Sequence, residues 1–210
     1  MKKKSIREQV AEGVLFSVLT GEYDVNSTIT EKMLIDRFGV SKSPVRDALV
    51  SLCSMGVLES IPRYGYRPVR YEKSFFDGIQ RFRQMIEPQY LHLLWDNITH
   101  EDIAHLEKVN EEFLEDAERC SPLRYWKHNQ ELHLAIASAL HDEFYEKALQ
   151  EALNKQRLVF IQHYGREWEA HIFDDYTGLH IDIIRAIREG DRETAVQKLA
   201  EDISTFICFS

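Results

Sequence analysis

Phe38-Gly39-Val40-Ser41-Lys42-Ser43-Pro44-Val45-Arg46-Asp47-Ala48-Leu49 is the stretch on which the reading of this chain turns. Glycine at position 39 permits a tight reversal, and the small polar Ser41 starts the second helix without steric cost. Upstream, Thr30 to Phe38 fits a short helix with Thr30 as its N-cap, Met33, Leu34 and Phe38 on one side, and Gly39 as terminator. Downstream, Ser43 before Pro44 offers a capping hydroxyl ahead of a proline at the first helical position. Val45, Ala48, Leu49, Leu52 and Cys53 then form an apolar stripe up to Gly56. Two short helices joined by a tight turn make a helix-turn-helix.

The neighbouring segments extend the motif. Ile6, Val10, Val14, Leu15, Val18 and Leu19 fall at helical spacing before Thr20-Gly21 ends the run. After Gly56, Val57 to Ile61 reads as a strand, Pro62-Arg63-Tyr64-Gly65 as a turn, and Tyr66 to Tyr71 as a second strand, a hairpin of the kind called a wing. The second helix of the pair exposes Lys42, Ser43 and Arg46 near its N-terminus. Recognition helices offer that end to base edges in the major groove, where arginine suits bidentate contact with guanine. Lys32 is available for backbone or groove contact, and Arg63 and Gly65 allow the hairpin tip to approach phosphate or the minor groove. Tyr64 and Tyr66 either touch DNA or pack on the hairpin.

Charge sharpens the division. The 210 residues carry a formal charge of −9, which by itself disfavours a polyanionic partner. Residues 1–70 hold 11 Lys and Arg against 8 Asp and Glu, and the remainder 15 against 27, so the two parts stand at +3 and −12. That asymmetry predicts two domains with different partners, the basic one suited to nucleic acid. The three cysteines, Cys53, Cys120 and Cys208, are far apart with no metal-ribbon spacing, which fits a reduced, cytoplasmic setting. No secretory h-region and no long apolar run point to a membrane.

From Ser74 onward the signals are helical, broken at Asn97 to Thr99, Ser121-Pro122, His141-Asp142, Gly165 and Gly190-Asp191. The expectation is about six helices of roughly 15 to 24 residues. The predicted fold is mostly α: a winged helix-turn-helix over 1–71, then an all-α antiparallel bundle over 72–210.

Inside that bundle several polar residues sit on apolar stripes. His133 is followed by Ile136, Ala137 and Leu140, His180 by Ile183, Ile184 and Ile187, and Asp202 lies between Leu199 and Phe206, with Asn129 one turn before His133. Two imidazoles and a carboxylate suit Zn, Ni or Mn; ordinary core histidines with hydrogen-bond partners are the alternative. Arg83 and Arg157 also lie on apolar stripes. They fit a bidentate clamp for a carboxylate effector, or, for Arg83, an internal ion pair with Glu87.

The motif from Ile29 through Leu49, with Leu52, Gly56-Val57-Leu58 and Arg63-Tyr64-Gly65-Tyr66, resembles the winged helix of GntR-type transcriptional regulators. The resemblance implies DNA-contacting roles for Lys32, Ser41, Lys42, Ser43, Arg46 and Gly65. Lys42 stands where arginine is more common, which softens base reading but keeps the phosphate contact. In the second part, Arg83 with Glu87, Asn129 with Leu132-His133, and Leu179-His180 with Ile184, Ala186-Ile187 and Gly190-Asp191 resemble the FCD ligand-binding domain of the FadR branch. Metal-binding members carry an Asp and a His four apart, then two more histidines. Asn129, His133, His180 and Asp202 match those positions, with Asn for the first Asp and Asp for the last His.

The resemblance therefore implies a homodimeric, ligand-responsive repressor that binds near-palindromic double-stranded operator DNA and senses a small organic acid, with a divalent metal in the bundle. A metal-dependent enzyme using the same His and Asp set is the rival. His100-Glu101 and His105 do not supply a zincin motif, since histidines five apart do not share a helix face.

Overall fold

The computed structural model describes residues 4–116, 122–164 and 173–205, and it divides into two compact units, 1–72 and 73–210. The expected cap at Ser121 and break at Gly165, together with Cys120 and Cys208, lie outside the described residues.

The first unit holds α1 (Ile6–Leu19), α2 (Glu31–Phe38), α3 (Lys42–Ser54), β1 (Leu58–Ile61) and β2 (Gly65–Pro68). A capping box opens α1: Ser5 accepts from the Glu8 amide while the Glu8 carboxylate accepts from the Ser5 amide. Thr30 caps α2 by accepting from the Met33 amide, and Gly39 closes it at φ 63°, the left-handed conformation that glycine adopts without strain. Val10, Val14, Leu34, Val45, Ala48, Leu49 and Leu52 are buried, which is the apolar face of a three-helix core. Phe38 lies against α1 where Gly13 leaves room, since a Cβ there would stand 2.7 Å from the Phe38 ring. Met33, expected on the same side, is exposed.

One expectation about α3 is corrected. The cap is Ser41, not Ser43, and the helix begins at Lys42 with no side-chain bond from its cap. Pro44 thus occupies the third helical position. Its missing N–H costs nothing there, because none of the first four amides of a helix has an internal partner.

The hairpin is also shorter than its apolar run suggested. β1 and β2 pair antiparallel from Leu58 opposite Pro68 to Ile61 opposite Gly65, leaving Pro62, Arg63 and Tyr64 as a three-residue loop with Arg63 at φ 72°. An isolated antiparallel bridge adds Ile29 to the hairpin, donating to the Tyr66 carbonyl at 2.7 Å and accepting from the Tyr66 amide at 2.8 Å. This bridge explains Gly65. A Cβ there would meet the Ile29 carbonyl oxygen at 2.4 Å, so a structural demand alone accounts for the glycine.

The second unit contains α4 (Lys73–Leu93), a 3-10 turn at Trp95–Asn97, α5 (His100–Asp116), α6 (Pro122–Ala139), α7 (Glu143–Tyr164), α8 (Phe173–Glu189) and α9 (Arg192–Thr205). Thr99 and Asp102 form a capping box for α5, and Asp191 caps α9 by accepting from the Thr194 amide, with Gly190 at φ 76° making the turn before it. Leu91, Leu106, Leu132, Ile136, Leu149, Leu153, Ile183, Ile187 and Leu199 belong to one apolar core fed by all six helices. Into this core the chain also places a group of polar side chains.

Candidate functional site

Each unit carries its own candidate site, and the two are built in opposite ways. In the first unit Lys32, Ser41, Lys42, Ser43, Arg46 and Arg63 are all exposed, while Val45, Ala48, Leu49 and Leu52 on the other side of α3 are buried. The i, i+3, i+4 spacing of the apolar residues turns the helix so that its N-terminal turn faces solvent with Lys42 and Arg46 on one side. Ser41 is left with its hydroxyl outside any capping bond. A residue to which the sequence pattern assigns no role joins this surface. Glu31, at the start of α2, lies 3.1 Å from Lys42 Nζ and 3.3 Å from Arg46 Nε.

The second site is buried. His133 on α6 faces two carboxylates, with Nδ1 2.6 Å from Glu87 Oε2 and Nε2 3.0 Å from Asp202 Oδ2. His180 Nε2 on α8 lies 3.1 Å from the other Asp202 oxygen. Ligand atoms of His133, His180 and Asp202 all fall within 4.8 Å of one another. Asn129, one turn before His133, is fully buried, and neither atom of its amide has a hydrogen-bond partner among the described residues.

Glu87 extends the group. Its Oε1 accepts from Arg83 Nε at 2.6 Å, and Arg83 Nη1 donates to Gln156 Oε1 at 2.8 Å. Gln156 in turn donates to Gln80, whose amide reaches the Ile203 carbonyl on α9. The internal ion pair of Arg83 with Glu87 therefore exists. Two of the three guanidinium nitrogens of Arg83 are committed within the protein, and only Nη2 lacks a partner among the described residues. Arg157 is half-buried, its Nε also lacks a partner there, and burial pushes its pKa down.

Electrostatics in the cluster follow from these contacts. Burial alone would raise the pKa of Asp202, but His180 and the hydrogen bonds from both histidines hold it well below the usual carboxylate range. Glu87 is likewise lowered, as Arg83 and His133 outweigh its burial. For His133, burial and Arg83 disfavour the charged ring, yet Glu87 and the bonds to Asp202 and Glu87 raise its pKa overall. Both ring nitrogens of His133 thus face a carboxylate, and an ion at Nε2 would take the place of a proton there.

These residues suit a divalent transition metal. His133, His180 and Asp202 each bring a ligand atom to within 4.8 Å of the others, and two imidazoles with a carboxylate are a donor set that such an ion would take. Glu87 on Nδ1 of His133 is the outer carboxylate that commonly fixes the tautomer of a ligating imidazole, leaving Nε2 for the ion. The buried Asn129 amide, with no hydrogen-bond partner among the described residues, is a further oxygen donor on the same helix face.

Comparison with known proteins bears on both sites. The family described as "FCD domain" matches residues 79–205, and the one described as "Bacterial regulatory proteins, gntR family" matches residues 6–67. The chain belongs to the FCD branch of the GntR family. Among relatives of this GntR/FCD chain, the HTH-type transcriptional regulator McbR of Escherichia coli K12 is 27% identical over 136 residues, 65% of this chain and 62% of McbR. The uncharacterized HTH-type transcriptional regulator YdhC of Bacillus subtilis 168 is 30% identical over 95 residues, 45% of this chain and 42% of YdhC. The matched parts thus span less than two thirds of either relative.

Solved structures extend the likeness to the whole fold. E. coli McbR/YncC superposes with a TM-score of 0.78 at 20% identity, covering 99% of this chain and 97% of that one. A transcriptional regulator GntR from Rhodococcus sp. RHA1 gives 0.72 at 18%, covering 96% and 95%. The GntR/FCD relatives are regulators and not enzymes, so the metal-dependent enzyme reading finds no support in them. His100 and His105 are solvent-exposed on α5, apart from the buried cluster. No helix among the described residues is long and apolar enough to cross a membrane.

Proposed function

We propose that this chain is a cytoplasmic, ligand-responsive transcriptional repressor that binds near-palindromic double-stranded operator DNA as a homodimer. The observation that carries the DNA-reading part is the N-terminal turn of α3, where Ser41, Lys42, Ser43 and Arg46 stand exposed over a fully buried apolar face. Membership of the GntR family and the name of McbR, a transcriptional regulator, support the same reading. A reader of only +3 is modestly basic, so two copies on two half-sites supply the affinity that one lacks.

The bundle is the sensor in this proposal. His133, His180 and Asp202, with Asn129 beside them, hold a divalent transition metal of the Zn, Ni or Mn kind, supported by the convergence of their ligand atoms. Such an ion supplies a Lewis-acid position for the carboxylate of a small organic acid. Arg83 contributes only its Nη2 to that ligand, while Arg157 brings a half-buried guanidinium with a spare donor. Effector binding shifts operator affinity as a coupling between the two units.

Anisotropy titration of the full chain against DNA upstream of its own gene tests the reading. The expected result is binding that a scrambled duplex of the same length does not match; equal binding to both overturns it. Elemental analysis of tag-free protein tests the sensor, with metal expected in the wild type and absent from a His133→Ala/His180→Ala variant. Equal content in both sinks the metal site.

A further inference from the structure

Glu31 is a carboxylate in the middle of a surface that the proposed function assigns to a polyanion. Its presence there needs a reason. It is the first residue of α2, and its side chain is 25% exposed, whereas Lys42 and Arg46 are each 64% exposed. One oxygen, Oε2, lies 3.1 Å from Lys42 Nζ, and the other, Oε1, lies 3.3 Å from Arg46 Nε. Lys42 and Arg46 are four residues apart on α3, so without a counter-ion they repel each other across one helical turn.

That geometry has two consequences for DNA binding. An arginine that turns Nε toward a carboxylate keeps its two terminal nitrogens for another acceptor pair, and a fork of two N–H donors is what guanine N7 and O6 accept in the major groove. The ion pair also favours rotamers of Arg46 that face Glu31 before DNA arrives, which reduces the cost of ordering the fork at the interface. At the same time one negative charge among two positive ones lowers the attraction to phosphate, which carries no sequence information.

We propose that Glu31 is a specificity-determining residue of the DNA reader: it orients Lys42 and Arg46 toward base edges and suppresses their sequence-independent hold on the backbone. It acts through those two side chains, so it is a positioning residue. The inference rests on the DNA-reading function proposed above and adds a residue to it.

The test compares the full-length wild type with Glu31→Gln, which keeps the side-chain shape but removes the charge. A Glu12→Gln variant makes the same charge change on α1, where the exposed Glu12 pairs with Lys4. The probes are a duplex enriched from a random pool by the wild-type protein and a scrambled duplex of equal composition, each titrated at two salt concentrations. Glu31→Gln is expected to bind the scrambled duplex about 3- to 10-fold more tightly, with a steeper salt dependence, and the enriched duplex no more tightly than wild type. Discrimination therefore falls at least about threefold in that variant and stays within about twofold of wild type in Glu12→Gln. Discrimination by Glu31→Gln within twofold of wild type, or an equal loss in Glu12→Gln, overturns the proposal. A thermal melt of each variant accompanies the titrations, since a loss of discrimination with an unchanged melting temperature separates positioning from helix packing. A wild type that yields no enriched duplex contradicts the DNA-reading function itself, a failure distinct from that of Glu31.

Discussion

Charged side chains serve the two units in opposite states. On α3 they stand in water, paired through a single half-buried carboxylate, and their removal exposes nothing. In the bundle Arg83, Glu87, His133, His180 and Asp202 are all within 2% of full burial and linked into one chain of contacts that runs from α4 to α9. An exposed charge can be offered to a partner outside the protein, because solvent already screens it and little stability depends on it. A buried charge is tied to its neighbours, since each one left alone in the core carries a desolvation cost that only the others offset. Recognition of a large polyanion and detection of a small ligand call for these two arrangements respectively.

The sharpest way to break the contrast is Arg83→Ala. Removing the guanidinium leaves Glu87 buried with only His133 beside it and strips Gln156 of its donor, so a loss of about 3–5 kcal/mol in urea unfolding is expected. A loss below about 1 kcal/mol would show that the bundle tolerates a buried carboxylate with His133 as its one charged partner and that the network is looser than its distances imply. Arg46→Ala is the counterpart on the reader. It is expected to leave stability within about 0.5 kcal/mol of wild type while costing about 1–3 kcal/mol of operator affinity per half-site.

Gly65→Ala probes the wing as structure, not as contact surface. Its backbone has φ 131°, and the new methyl group would meet the Ile29 carbonyl, so a destabilisation of about 2 kcal/mol is expected by thermal melting. A smaller effect is expected from Asp102→Asn at the start of α5. Burial raises the Asp102 pKa, but bonds from the Thr99 hydroxyl and amide and from His141 lower it overall. A depressed carboxylate stabilises the fold above its unfolded pKa and loses that contribution as pH falls toward its folded one. The wild type should therefore exceed the variant by about 1 kcal/mol at neutral pH, with the gap closing below about pH 4.

Much of this arrangement is legible in the sequence because it is local. Apolar spacing of three and four residues locates α1, α3 and the bundle helices, and Thr30, Gly39, Gly190 and Asp191 announce helix ends by their own chemistry. The cap of α3 lies two residues before the expected one, since Ser41 and Ser43 are both competent caps and proline is tolerated anywhere in a first turn. His133, His180 and Asp202 stand out as polar residues on apolar stripes, each by itself. What joins them is not legible, because Glu87 meets His133 across 46 positions and Gln80 meets Ile203 across 123, and such pairings depend on how six helices settle against one another. Glu31 escapes for a related reason. An acidic residue in the first turn of a helix is ordinarily explained by the helix dipole, and its second role appears only when α3 is laid beside it.

The claim that joins the two units is that the buried cluster controls the exposed reader, and a single titration examines it. Operator affinity is measured for the wild type and for His133→Ala/His180→Ala, each with Zn²⁺ and with a panel of small organic acids added in turn. A coupling of about 5- to 150-fold is expected in the wild type for at least one acid, and no shift in the variant. An equal shift in both proteins would separate effector response from the His133, His180 and Asp202 cluster and contradict the account.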